Sequence, residues 1–95
     1  MFPIIDSQKT GEKIKLLMEQ KNISSKDVQN FLSLSCVQTV YRWINGITVP
    51  SIDNLYALSY LLGVPIDEIV CGNRESFEKN YLVKENGEVY QMSLN

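Results

Sequence analysis

Histidine is absent from this 95-residue sequence, and cysteine occurs only twice, as Cys36 and Cys71. Without histidine, neither a Ser-His-Asp triad nor a Cys-His pair can activate a nucleophile. The two cysteines form no CxxC motif, so a zinc site with four Cys or His ligands is excluded. The adjacent acids Asp67 and Glu68 are more typical of a helix N-terminus than of acid–base chemistry. The sequence therefore predicts no metal, no cofactor and no enzyme.

Long hydrophobic runs are also missing. The most apolar stretch, residues 55–66, is interrupted by Ser59, Gly63 and Pro65, so no membrane span is predicted. The apolar N-terminal residues end at Asp6 without a basic leader, so no signal peptide is predicted. Two free thiols fit a reducing compartment. We therefore expect a cytoplasmic protein.

The chain has no excess of basic residues, since its net charge is −2. Residues 1–50 contain six basic and four acidic residues, whereas residues 51–95 contain three basic and seven acidic residues. The first half therefore has a net charge of +2 and the second half a net charge of −4. This asymmetry weakly favours a binding function for the first half and a different role for the second. The length and the 44% hydrophobic content are typical of one globular domain.

Apolar residues at helical spacing then predict five short helices. The first is expected over residues 10–21, with Ile14, Leu17 and Met18 facing inward. The second follows a capping box at residues 24–27, in which the Ser24 hydroxyl accepts from the Asp27 amide. The inward residues predicted for this second helix are Val28, Phe31 and Leu32.

The third helix is predicted over residues 36–45, capped by Ser35 and followed by Gly46 in the left-handed conformation. Its predicted inward face consists of Val37, Val40, Tyr41 and Ile44. A fourth helix opens at residues 50–51 and ends at Gly63, with an inward face of Ile52, Leu55, Tyr56 and Leu62. The fifth is expected over residues 64–69.

The last stretch has a different pattern, because residues 85–87 contain Asn-Gly between two strand-like segments. Asn-Gly is a strong hairpin signal, so a β-hairpin over residues 81–92 is favoured over a frayed acidic tail. In the expected register one face combines Tyr81, Val83, Tyr90 and Met92. The predicted organisation is an N-terminal arm (1–8), an all-α domain (9–70) and a C-terminal extension (71–95).

Residues 10–70 resemble the Cro/lambda-repressor-like, or Xre-like, helix-turn-helix domain. The resemblance rests on segments 11–15, 24–32, 41–46, 50–51 and 62–69, with Leu55 and Leu58 between the last two, taken in order. It implies a five-helix DNA-binding domain whose third helix enters the major groove. The sequence departs from the family in a third helix that is one residue longer, in Ile44 where glutamate is usual, and in a loop at residues 47–49 without basic residues.

On the third helix, the outward residues expected to contact bases are Gln38, Thr39 and Arg42. Gln can pair with adenine, Arg with guanine, and a Thr methyl can touch a thymine methyl. The residues expected to contact the DNA backbone are Ser25, Lys26, Ser35, Tyr41 and Asn45. An exposed, purely solvated role for Lys26 remains open.

Two further residues allow more than one interpretation. Trp43 could stack on a base, but packing against a neighbouring helix is favoured. Cys36 could be a reactive thiol at a helix N-terminus, but a small semi-buried residue is favoured.

The favoured function is a sequence-specific transcriptional repressor that binds double-stranded DNA as a homodimer on an inverted-repeat operator. The tail hairpin or the fifth helix would supply the dimer contact. The alternative is a protein-binding module, such as the antitoxin of a toxin–antitoxin pair or an anti-repressor, whose partner is a toxin or another regulator.

Overall fold

Four α-helices form the domain in the computed structural model, which describes residues 2–73 and the backbone of 81–83 and 89–91. The helices are α1 (Ser7–Lys21), α2 (Ser25–Leu32), α3 (Gln38–Ile44) and α4 (Ile52–Leu62). The predicted fifth α-helix is instead a 3-10 turn, Ile66–Glu68. Pro65 precedes this turn in an extended conformation, and Ile69 immediately after it is fully buried. The chain makes this single turn before Ile69, and directly beyond it the Cys71 carbonyl accepts a hydrogen bond from the Asp6 amide of the N-terminal segment.

Helix α1 begins three residues earlier than predicted, because Asp6 acts as its N-cap. The Asp6 carboxylate accepts a hydrogen bond from the Lys9 amide at 2.9 Å. The helix ends where Asn22 adopts a left-handed conformation with φ of 60°. A left-handed residue of this kind directs the chain out of the helix.

The predicted capping box of α2 is confirmed. The Ser24 hydroxyl accepts from the Asp27 amide at 3.0 Å, and the Asp27 carboxylate accepts from the Ser24 amide at 3.0 Å. Hydrogen bonding to the carboxylate from the Ser24 amide, and to a smaller extent from the Ser24 hydroxyl, favours the charged form and lowers the pKa of Asp27. The start of α2 is thus fixed locally by the sequence.

Helix α3 is shorter than predicted at its start. Val37 occupies the N-cap position without a side-chain hydrogen bond, so the predicted cap by Ser35 is wrong. Residues 33–37 form the connection between α2 and α3, which contains two residues more than the tight turn predicted from the sequence. Gly46 has φ of 76°, as predicted for the end of this helix.

The core lies between the four helices and the 3-10 turn. Its buried apolar side chains are Ile14, Leu17, Met18, Val28, Val40, Trp43, Leu55, Leu58, Leu62 and Ile69. Four residues predicted to face inward are exposed instead, namely Phe31, Tyr41, Ile52 and Tyr56. On α4 the buried positions follow a spacing of three and four residues from Leu55 to Leu62, which leaves Ile52 and Tyr56 on the outer side.

The two ends of the helical domain meet in a short antiparallel contact. Ile5 bridges Gly72, and the Asp6 amide donates to the Cys71 carbonyl at 2.8 Å. The buried Thr10 hydroxyl lies 3.2 Å from the carbonyl oxygen of Cys71 and 3.0 Å from its amide nitrogen. These contacts hold the start of α1 beside the segment that follows the 3-10 turn.

Two short strands, β1 (Tyr81–Val83) and β2 (Val89–Gln91), pair in antiparallel fashion. Tyr81 pairs with Gln91 and Val83 pairs with Val89. The register expected from the sequence would have paired Val83 with Tyr90, so it is wrong by one residue. A shift of one residue exchanges the two faces of a strand. The Asn-Gly turn expected at residues 85–87 lies outside the described residues.

Candidate nucleic-acid interface

The inner side of α3 is held firmly against the rest of the domain. Val40 is fully buried and Trp43 is 3% exposed. Gly11 of α1 faces the C-terminal part of α3 so closely that a Cβ atom there would lie 2.2 Å from the Trp43 carbonyl oxygen. Only a glycine allows the two helices to approach to this distance. The orientation of α3 is therefore set by α1 and by its own two buried side chains.

The outer side of α3 carries the residues predicted to contact bases. Gln38 and Arg42 are exposed, and Thr39 between them in sequence is half-buried. Gln38 and Arg42 are four residues apart, so they lie above one another on the same side of the helix. The structure thus brings two side chains able to form bidentate contacts with bases onto one exposed face.

The favoured interpretation of Trp43 agrees with its burial, because an indole with 3% exposure in the core cannot stack on a base. Cys36 differs from the favoured interpretation, since its thiol is exposed rather than semi-buried. The Cys36 Sγ atom lies 3.6 Å from the Thr39 hydroxyl. Hydrogen bonding from Thr39 lowers the pKa of the Cys36 thiol. This thiol therefore stands at the start of α3, beside one of the predicted base contacts.

Three of the predicted backbone contacts meet in one groove between α1, the start of α2 and the end of α3. Ser25, Tyr41 and Asn45 all line it. Tyr41 is 48% exposed, which corrects the inward orientation predicted for it and leaves its hydroxyl on the surface. The groove also contains Lys15 and Glu19 of α1. The Lys15 cation and the polar groups of Ser25, Tyr41 and Asn45 can together bind a phosphate. The negative charge of Glu19 repels a phosphate in the same groove.

Lys15 is not among the residues that the sequence predicts to contact DNA. It directly follows the buried Ile14 in α1, and the pattern of α1 alone assigns it to a solvated side of the helix. Its place beside Tyr41 and Asn45 depends on the crossing of α1 with α3. No local signal in the sequence could have identified it.

Lys26 and Ser35 do not line this groove, although both are exposed. Lys26 lies in the first turn of α2, where backbone amides have no acceptor within the helix. Ser35 lies in the connection between α2 and α3. These two residues therefore lie outside the cluster of Ser25, Tyr41 and Asn45.

The loop after α3 is apolar and exposed. Ile47 is 59% exposed and Val49 is 43% exposed. The loop is tied to the helix because the Ile47 amide donates to the Arg42 carbonyl at 2.9 Å. The Ser7 hydroxyl donates to the Gly46 carbonyl at 3.0 Å and fixes the loop to the start of α1. The loop is therefore held in place by hydrogen bonds to α3 and α1. It contains no basic residue that could bind a phosphate.

Helix α2, the connection at residues 33–37 and the exposed face of α3 together make a helix-turn-helix. The sequence model of the helix-turn-helix family HTH_3 matches residues 14–69. The chain belongs to this Xre/lambda-repressor-like family, whose members are DNA-binding regulators.

Among solved structures, the chain is similar to the crystal structure of the DNA-binding domain of BldD. The TM-score is 0.59 at 19% sequence identity, over 70% of this chain and 94% of that one. At this identity the likeness shows a shared fold. A search of curated proteins finds no significant match.

The described residues contain no helix long and apolar enough to cross a membrane. Within the same part of the chain, no group of three or more Cys, Asp or Glu residues is placed to hold a metal ion.

Proposed function

We propose that this chain is a sequence-specific transcriptional regulator that reads the DNA major groove with α3. The observation that carries the proposal is the contrast between the two sides of this helix. Val40 and Trp43 fix its inner side, while Gln38 and Arg42 project from the outer side. Arg42 pairs with a guanine and Gln38 with an adenine, and the Thr39 methyl group contacts a neighbouring thymine.

The DNA backbone is contacted on both flanks of α3. Ser25, Tyr41 and Asn45 bind one phosphate in the groove that they line, and Lys15 adds a positive charge there. Lys26 and Ser35 contact the backbone beside it. Because Glu19 lies in the same groove and the loop after α3 carries no cation, few counterions are released on binding. The affinity therefore falls only gently with increasing salt.

The proposed biological role is repression by a homodimer on an inverted-repeat operator. A domain of this size reads only a few base pairs with one recognition helix, and a two-fold pair of domains reads two half-sites about one helical turn apart. The N-terminal arm (1–8), the helical domain (9–70) and the C-terminal extension (71–95) are the units proposed for this arrangement.

The proposal is tested by selecting bound duplexes from a random DNA library with the wild type, Arg42→Ala and Lys21→Ala. Lys21 is an exposed cation at the end of α1, so its variant removes the same charge outside the interface. We expect the wild type and Lys21→Ala to enrich the same inverted repeat and Arg42→Ala to lose one position of it. A folded wild type that enriches no sequence would contradict the proposal.

A protein-binding role is the second candidate, and the exposed apolar loop at Ile47 and Val49 favours it. In this role the chain is the antitoxin of a toxin–antitoxin pair or an anti-repressor. Co-purification from the native host discriminates between the two roles. A stoichiometric small partner that is released by Ile47→Ser, together with no enriched DNA sequence, would favour the protein-binding role.

A further inference from the structure

An exposed apolar surface on α2 and α4 has no place in the proposed DNA interface. We call it the aromatic face and define it as Phe31, Ile52, Tyr56 and Tyr60. Ile52, Tyr56 and Tyr60 follow each other at intervals of four residues and so form one ridge along α4. They are 78%, 74% and 78% exposed, and Phe31 is 47% exposed. Such large apolar side chains on one ridge indicate a surface that another molecule covers.

The ridge is ordered by contacts within the domain. The rings of Phe31 and Tyr60 are stacked with centroids 6.0 Å apart and an angle of 12° between their planes. This geometry falls within the favourable range for aromatic pairs. The Ser59 hydroxyl donates to the Tyr56 carbonyl at 2.7 Å, which satisfies the polar group next to the ridge. One part of the aromatic face, the Phe31–Tyr60 pair, is therefore held in place by a contact within the domain.

The centre of the aromatic face is free of charge, since the shallow groove there is lined only by Phe31, Tyr56, Ala57, Ser59 and Tyr60. The sequence of α4 contains a single charged residue, Asp53, near its start. Centres of protein–protein interfaces are depleted in charged residues and enriched in tyrosine and phenylalanine. A nucleic acid requires basic residues, and α4 has none. The composition of this surface thus fits a protein.

The size of the aromatic face fits a weak dimer. If each fully exposed side chain offers about 200 Å², the four residues present about 550 Å² per copy. Two copies facing each other would bury at most about 1,100 Å², which is near the lower limit for a specific interface and typical of a transient one.

We infer that the aromatic face binds the same face of a second copy of this chain. A ridge with i, i+4 spacing packs against its own copy across a two-fold axis, because each residue then meets its counterpart or a neighbour of it. Since none of the four residues of the aromatic face is charged, two copies that meet through its centre bring no like charges together there. The inference deepens the proposed function and rests on it for the pairing of two domains on an inverted repeat.

The test measures the dimer without DNA, so that its failure is distinct from a failure of DNA binding. Sedimentation equilibrium of the full chain is compared for the wild type, Tyr60→Ser, Tyr56→Arg and Leu16→Ser. Leu16 is an exposed apolar residue on α1 and serves as the matched control. Tyr56→Arg keeps the stack of Phe31 on Tyr60 intact, so it tests the face even if Tyr60→Ser unfolds.

We expect a wild-type dimer that dissociates at micromolar concentration, and an increase of its dissociation constant by at least about tenfold in Tyr56→Arg. The control is expected to dimerise as the wild type does. A monomeric wild type at all concentrations would overturn the inference and would leave residues 74–95 or a different protein to cover the face. A dimer that Tyr56→Arg does not weaken would also overturn it, because the copies would then meet elsewhere.

Discussion

Replacement of Gly11 by alanine tests how the fold positions α3. The added methyl group would lie 2.2 Å from the Trp43 carbonyl oxygen and 2.7 Å from that of Ile44. Both atoms belong to the backbone of α3, so no side-chain rotation can relieve the contact. Helix α3 must therefore move away from α1 in the variant.

Two opposing effects set the size of the expected change. Overpacking of a core costs about 1–3 kcal/mol, and backbone atoms as the obstacle favour the upper part of this range. Alanine stabilises a helix by about 1 kcal/mol relative to glycine. The net loss in the free energy of unfolding for Gly11→Ala is then about 1–2 kcal/mol, which lowers the Tm by about 5–10 °C in a domain of this size.

Denaturant unfolding of Gly11→Ala, wild type and Gln20→Ala measures this loss. Gln20 is exposed on α1, so its variant changes helix propensity without adding a contact, and we expect it to match the wild type within about 0.5 kcal/mol. Gly11→Ala is also expected to weaken specific DNA binding under conditions where it is folded, because α3 is displaced. A Gly11→Ala protein as stable as the wild type, or more stable, would refute the close approach of α1 and α3.

Four further experiments test the elements around the interface. Val40→Ala is expected to cost about 1–3 kcal/mol of stability in chemical unfolding, because it leaves a cavity under α3. Ser24→Ala removes half of the capping box and is expected to cost about 1 kcal/mol. The lowered pKa of Asp27 means that its stabilising effect is fully present above the ordinary pKa of the carboxyl group and is lost as the pH falls through the folded value, so Asp27→Asn should reduce the acid sensitivity of unfolding. A thiol reagent should modify Cys36 faster than Cys71, because the Cys36 thiol is exposed and has a lowered pKa. Equal rates of modification in the two single Cys-to-Ser variants would contradict this.

The features that the sequence predicted best are those determined by neighbouring residues. The capping box needs only Ser24 and Asp27, which lie three positions apart. Gly46 and Gly63 both adopt positive φ where the helical pattern ends. The outward position of Gln38 and Arg42 follows from the same local periodicity.

The features that were wrong depend on distant parts of the chain. Helical periodicity places Ile52 and Tyr56 on the same side of α4 as Leu55. It does not show how much of that side the rest of the domain covers, and in the structure Leu55 is buried while Ile52 and Tyr56 are exposed. The fifth helix shortens to a 3-10 turn because residues 71–73 return to the N-terminal segment, which no helical pattern records. Lys15 enters the groove at the interface only through the crossing of α1 and α3.

The specificity profile of Arg42→Ala shows whether the outer face of α3 reads bases. Affinities of wild type, Arg42→Ala and Lys21→Ala are measured for every single-base-pair variant of the selected operator at one salt concentration. We expect Arg42→Ala to lose about 1–3 kcal/mol of binding free energy and to discriminate less at one base pair of each half-site, while Lys21→Ala keeps the wild-type profile. A profile of Arg42→Ala that is unchanged at every position would contradict the claim.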